Sequence, residues 1–336
     1  MVLQTLLHAT NYRTPLLRTL IPTVALAYGI QTAAALPSIA AQSERFYDLS
    51  GSLTYLSCTA VSLALPYLRA RSVGSVGGLG EYLSAPAPGQ TGWWWRHVVL
   101  SVAVGGWAVR LGTFLFQRIT TDNGTDSRFD KIRSSPAKFY IAFFAQATWV
   151  SLCTLPVVLI NSLPRSAFAI ARLAHVTPSK IPQPLSATPY WTDIFGLAIF
   201  LFGLVFEVTA DRQKSAWLKE KKEKKHEEDF LTRGLWARSR HPNYFGEITL
   251  WCGIAVAAGG VLVRAPALGG LGLGSVWGAK VVVAGLCAAS PGFVTFLLTR
   301  VSGIPLSEGK YDGKFGDRED YRRWKRETPV LVPRVL

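Results

Sequence analysis

Acid is scarce in this chain relative to base. Its 336 residues carry 36 Lys and Arg against 21 Asp and Glu, for a formal net charge of +15, and the first acidic residue is Glu44. Cysteine is sparser still, at four residues. Cys58, Cys153, Cys252 and Cys287 all sit in apolar runs and lack metal-like spacing, so they read as small core residues rather than disulfides or ligands. The five histidines are scattered, and no metal site is apparent. No repeat of about 20 to 50 residues is visible, which sets aside a solenoid. No Gly-x-Gly-x-x-Gly follows a strand and there is no P-loop, so a nucleotide bound here is not held by a Rossmann fold or a Walker motif.

What the chain has in quantity is apolar sequence. Hydrophobic residues make up 49% of it and charged residues only 17%, compatible with a polytopic membrane protein. Seven stretches approach the roughly 20 residues needed to span a hydrocarbon core, near 16–36, 49–68, 98–116, 139–163, 193–210, 248–263 and 276–301. The second is diluted by Ser and Thr. The last carries Lys280 near one end and Pro291 inside, which predicts a kink or two half-helices. The expected class is therefore all-α: a membrane helix bundle of about seven transmembrane helices with a cytosolic C-terminal cap.

The placement of charge separates this reading from nucleic-acid binding. Most of the basic residues fall in the third-to-fourth connection (Arg118 to Lys138), the fifth-to-sixth connection (Arg212 to Arg240) and the segment after Arg300. Positive-inside reasoning puts those on the cytosolic side, with the N-terminus outside or luminal and the C-terminus cytosolic. Asn123-Gly-Thr125 has the form of a glycosylation acceptor, which this topology leaves unmodified in the cytosol. The acid-poor start resembles a mitochondrial presequence, and 33–41 a signal cleavage region. Removing the first span would disturb the charge alternation, so a retained span and an endoplasmic reticulum location are expected. Segments 74–92 and 164–189, rich in small residues or Pro, read as connections. The organisation follows: 1–94 as an N-terminal membrane region of about two spans, and 95–336 as the domain carrying the site.

The densest chemistry lies at 234–247. Arg238, Arg240, His241, Asn243 and Tyr244 fall within seven residues, directly before the apolar run that starts at Ile248. Pro242 stiffens the entry to that helix. Arginine can fork onto phosphate, and a helix N-terminus adds aligned N–H groups, so an anionic cofactor suits this boundary. At the cytosolic end of the fifth span, Glu207, Asp211 and Lys214 stand at i, i+4 and i+7 on one face. Such residues at an apolar helix end are expected to face the bundle interior or a water-filled cavity. Arg110 in the third span marks an anion site or a side chain snorkelling to the interface. The segment after Ser302 adds Glu308, Lys310, Tyr311, Lys314, Phe315, Asp320 and Tyr321 on the same side.

Arg240-His-Pro-Asn-Tyr-Phe-Gly-Glu247, preceded by Gly234-Leu-Trp236, resembles the signature of membrane sterol reductases and steroid 5α-reductase-like proteins. Ala210-Asp-Arg-Gln-Lys214 is similar to the helix pattern that precedes it there. Lys314-Phe-Gly316 with Glu319-Asp-Tyr321 resembles their C-terminal Lys-Tyr-Gly and Tyr pattern. The likeness covers roughly residues 95 to 335. It implies NADPH on the cytosolic face and hydride delivery to a carbon–carbon double bond of a sterol-like or other lipid substrate. Lys214 and Trp236 would contact the cofactor, with Asn243, Tyr244 and Glu247 near the nicotinamide or its ribose. Lys314 and Tyr321 would help hold the phosphate-bearing part, and Arg240 and His241 complete the set. The chain departs from the pattern at Leu218, where an arginine is usual, and at Phe315, where tyrosine is usual. Reduction of an enone also needs an acid near the carbonyl; Glu44, Tyr47 and Tyr55 sit in weakly matching sequence, Trp107 stands near where the resemblance implies a tyrosine, and the proton donor stays unassigned.

Two other classes fit parts of the pattern. Isoprenylcysteine carboxyl methyltransferases share the fold and an Arg-His-Pro-x-Tyr element and bind S-adenosylmethionine. Asn243 with Glu247 and the Gln213-Lys214 helix favour the reductases, as does a lone Glu308 where those enzymes usually carry a Glu-Glu pair. A non-catalytic scaffold or transporter would keep the fold without the reaction.

Overall fold

Each of the seven apolar runs becomes one long helix. In the computed structural model, the described residues are 2–83, 95–121, 125–168, 185–186, 188–274 and 276–334. Helix accounts for 77% of the structure and no strand forms among the described residues, so the all-α class holds. The helices are α1 (Val2–Ala9), α2 (Pro15–Ala40), α3 (Tyr47–Ser72), α4 (Leu79–Leu83), α5 (Trp95–Thr121), α6 (Pro136–Asn161), α7 (Trp191–Lys222), α8 (Pro242–Leu262), α9 (Ala265–Leu271), α10 (Trp277–Phe296), α11 (Ile304–Phe315) and α12 (Glu319–Glu327).

Six of these long helices are also apolar enough to cross a membrane: α2, α5, α6, α7, α8 and α10 with its continuation. The seventh expected span is α3, which has the length, at 26 residues, and lacks the hydropathy. Its polar side chains point inward. Ser50, Ser52, Thr54, Thr59 and Ser62 are buried while Leu53 is half exposed. The Thr54 hydroxyl donates to the Ser50 carbonyl at 2.7 Å and accepts from Gln31 Nε2 of α2 at 2.7 Å, so its polarity is satisfied inside the bundle.

The chain divides into two compact units, Met1–Ile194 with Val256–Ser290, and Phe195–Ala255 with Pro291–Leu336. In the first unit α2, α3, α5 and α6 pack on one another. Charged residues there meet each other. Arg96 is almost fully buried. It reaches both Asp193 carboxylate oxygens and donates to the Ser186 and Thr188 carbonyls at 2.6 and 2.9 Å, with the Tyr190 ring beneath it. Glu44, also buried, accepts from Arg133 Nε at 2.8 Å and from the Asp126 backbone N–H at 2.7 Å. Burial acts to raise its pKa, but the Arg133 guanidinium and the Asp126 N–H outweigh that and hold it below the usual carboxylate value. These bonds tie the start of α3 to the α5–α6 connection, where Phe129, Phe139 and Phe143 enclose the Tyr47 ring. Exposed Trp191 and Trp277 open α7 and α10, as aromatic residues do at a membrane–water interface. Arg110 is half-buried, with its guanidinium over the Phe114 ring at 5.3 Å. The acceptor Asn123 lies outside the described residues, as do 84–92 and 169–184 of the two expected connections.

In the second unit α7 and α8 touch backbone to backbone. A Cβ on Gly203 would lie 2.5 Å from the Leu250 nitrogen, and one on Gly253 would lie 2.4 Å from the Phe200 nitrogen. Gly246 approaches the Glu207 nitrogen in the same way. Glycines seven apart on each helix therefore form the contact, the small-residue packing that lets membrane helices approach closely. Helix α10 runs through Pro291 without breaking and then widens into a π turn over Leu297–Val301, in place of two half-helices. The charged run 219–229 is helical only to Lys222, and Lys224 then takes a left-handed φ of 56° to turn the chain back.

Candidate functional site

The site begins with a glycine. Gly234 has φ +61°, a backbone conformation that favours glycine, and a Cβ there would fall 2.6 Å from Gln213 Oε1 and push that amide aside. It opens a 3-10 turn, Gly234–Ala237. Gln213 of α7 accepts from the Leu235 N–H at 2.9 Å, and Trp236 Nε1 donates to the Ala210 carbonyl at 3.0 Å. The two sequence elements Ala210–Lys214 and Gly234–Trp236 are thus one docking joint. Its result is that Lys214 Nζ stands over the buried Trp236 ring at 5.0 Å.

From Trp236 the chain runs through Arg240 and His241 into α8. Both side chains are buried and both face Glu308 of α11. Arg240 lies 3.0 Å from Glu308 Oε1, and His241 Nε2 lies 3.1 Å from the same oxygen. A carboxylate only accepts, so the imidazole proton is on Nε2. Lys325 of α12 approaches the other oxygen at 3.3 Å. Burial pushes the His241 pKa below its ordinary value, against the opposing pull of Glu308, so the ring is neutral at pH 7. Tyr321, buried, donates its hydroxyl to Asp312 at 2.8 Å; desolvation, then that carboxylate, raise its pKa.

Around these groups lies an open cleft lined by Lys214, Trp217, Phe230, Leu231, Trp236, Arg240, His241, Ser307, Glu308, Tyr311, Tyr321 and Trp324. Five of the nine residues singled out from the sequence, Lys214, Trp236, Arg240, His241 and Tyr321, meet in its wall. The other four do not line it. Tyr244 stacks on the His241 ring, centroids 5.4 Å apart and planes 4° apart. Asn243 is half-buried, and its Oδ1 is enclosed without a hydrogen-bond partner among the described residues. Glu247 is half-buried one turn further along α8. Lys314 is exposed, with its ammonium over the Phe315 ring at 4.9 Å. The α5–α6 connection, which the charge pattern assigned to the same membrane face, belongs to the first unit.

Sequence reasoning missed the aromatic wall. Trp217 stands three residues after Lys214 on α7, and Trp324 three after Tyr321 on α12, so helical spacing from residues already chosen would have found both. Phe230 offered no such signal. It is placed by contact alone, within 5.1 Å of the Trp324 ring and 5.5 Å of Tyr321.

Chemically, the arrangement offers two cations and a neutral imidazole around one carboxylate, a third cation on a tryptophan, and a set of aromatic faces. Arg240 Nε is buried without a hydrogen-bond partner among the described residues. A buried donor of this kind is costly unless something accepts from it. No curated protein and no solved structure matches the chain. Residues 81–328, well over half of its length, match the family described as "Protein of unknown function (DUF1295)", and the chain belongs to that family.

Proposed function

We propose that the protein is an NADPH-dependent reductase of a carbon–carbon double bond in a sterol-like or other lipid enone. The observation that supports this reading most is the convergence of Lys214, Trp236, Arg240, His241 and Tyr321 on one cleft, from α7, the 3-10 turn, the start of α8 and α12. Lys214 and Arg240 suit phosphate, since arginine can fork onto it and lysine serves as a point charge. The aromatic faces of Trp217, Phe230 and Trp324 suit a nucleobase. Glu308 is engaged by Arg240, His241 and Lys325. The resemblance adds Asn243, outside the cleft wall, whose unpartnered Oδ1 is an acceptor suited to a carboxamide N–H. When bound, NADPH would supply hydride. The chain's own residues bind and orient: the neutral His241 ring holds its proton on Nε2 toward Glu308 and presents its face to Tyr244.

Purified protein in detergent or nanodiscs is expected to bind NADPH saturably, with about tenfold or greater weakening in Lys214→Ala and Asn243→Ala, ~1.4 kcal/mol each. Unaltered binding in both variants would remove the site assignment.

A second reading, a membrane methyltransferase using S-adenosylmethionine, is favoured by one feature. The Trp217, Phe230 and Trp324 rings gather in the cleft wall, and aromatic faces suit a sulfonium cation. Thermal stabilisation by S-adenosylmethionine and not by NADPH would put this reading first.

A further inference from the structure

Residues 329–334 run antiparallel to residues 238–240 without forming a strand. The Arg240 N–H donates to the Pro329 carbonyl at 2.9 Å, and the Arg334 N–H donates to the Arg238 carbonyl at 3.1 Å. Between them Ser239, fully buried, donates its hydroxyl to the Leu331 carbonyl at 2.8 Å. The same oxygen accepts from the His241 N–H at 3.1 Å. One hydroxyl therefore joins the strap on one side to the backbone of a cleft residue on the other. The N–H of His241 precedes the first turn of α8, where no helical carbonyl is available to it. Ser239 fills that need, as a capping side chain does.

We propose that Ser239 is a positioning residue and that segment 329–334 is a strap that sets Arg240 and His241 in the cleft. The strap has no cleft-lining residue of its own, and acts only by fixing the backbone from which two of them project. Arg240 and His241 both reach the same Glu308 oxygen from that backbone, so a slip of the 238–240 register would withdraw at least one of them. Cofactor selectivity is untouched by this device; affinity depends on it. The significance for NADPH rests on the reading above, whereas the positioning itself does not.

The test uses the full chain in nanodiscs and compares wild type, Ser239→Ala, Ser239→Thr and a chain lacking residues 329–336. Hydrogen exchange is followed in peptides covering 238–243 without cofactor, and NADPH affinity is measured in parallel. Loss of one buried hydrogen bond predicts about tenfold faster exchange in 238–243 for Ser239→Ala and for the shortened chain. Peptides of α2 to α6 should stay unchanged. Ser239→Thr, which keeps the hydroxyl, should restore protection and affinity toward wild type. Unchanged exchange at 238–243 in Ser239→Ala, or equal loosening in Ser239→Thr, overturns the proposal. If the shortened chain does not fold, Ser239→Ala decides alone. If wild type binds no NADPH, the reductase reading fails while the exchange result still judges the strap. If Ser239→Ala loosens 238–243 and leaves NADPH affinity intact, the strap holds the loop without positioning the site, and the positioning role is withdrawn.

Discussion

Two regions of this molecule bury charge and do opposite things with it. In the first unit, Arg96 and Glu44 each find enough partners to be fully engaged: Arg96 has Asp193 and two carbonyls, and Glu44 has Arg133 and a backbone N–H. In the second unit, Arg240, His241 and Lys325 share one carboxylate at the edge of an opening, and Arg240 Nε keeps spare donor capacity. A closed set of charges holds helices together. An incomplete set beside a cleft is ready for a ligand. Burial alone distinguishes neither, and the count of partners does.

The largest effect expected from breaking this contrast is at Asp193. Asp193→Ala leaves Arg96 charged and buried with half its partners gone, which typically costs about 3–5 kcal/mol. Chemical or thermal unfolding in detergent should show that loss, while the folded fraction keeps wild-type NADPH affinity. A loss of affinity with full stability would contradict the division of roles.

The α7–α8 glycine contact gives a middle-sized effect. Gly253→Ala sets a methyl 2.4 Å from the Phe200 nitrogen, where backbone cannot yield. Overpacking of this kind costs about 1–3 kcal/mol. Because α7 carries Lys214 and α8 follows His241, the variant should lose both stability and NADPH affinity, unlike Asp193→Ala. A variant as stable as wild type would show that the helices do not need this approach.

The smallest effect is a pH dependence. His241 has a folded pKa below its ordinary 6.5, so protonation favours the unfolded chain. Its contribution is fully present above pH 6.5 and is lost as pH falls through the folded value. Stability measured from pH 7.5 downward should fall less steeply in His241→Gln than in wild type. Glu44 adds a second acid-side loss: its pKa is lowered, so its contribution is present above about 4.5 and disappears below that. Parallel curves for wild type and His241→Gln would show that the imidazole does not titrate against folding.

The sites of the long helices were legible because their cause is local. A run of about 20 apolar residues must satisfy its backbone within itself, and helix does so wherever the run is placed. All seven expected runs are helices, and the one diluted by Ser and Thr is the one that falls short of membrane hydropathy. Gly234 and the pairing of Gln213 with the turn were legible as motif, though their geometry was not. Trp217 and Trp324 were within reach by spacing. Phe230's contacts and the pairing of Glu308 with Arg240 and His241 were not, since they join residues about 70 to 90 positions apart.

The sequence by itself determined that this chain is an all-helical bundle with long apolar helices, and that its donors gather at 234–247. It did so through periodicity, length and the placement of Lys and Arg, which act over one or two turns. Only the tertiary structure decided which of those donors share a cleft. Arg240 and His241 meet Glu308, while Lys314 turns to Phe315 and Tyr244 to the His241 ring. The reason is that a side chain's partner is set by the path of every helix between them, and no local pattern in the sequence encodes that path.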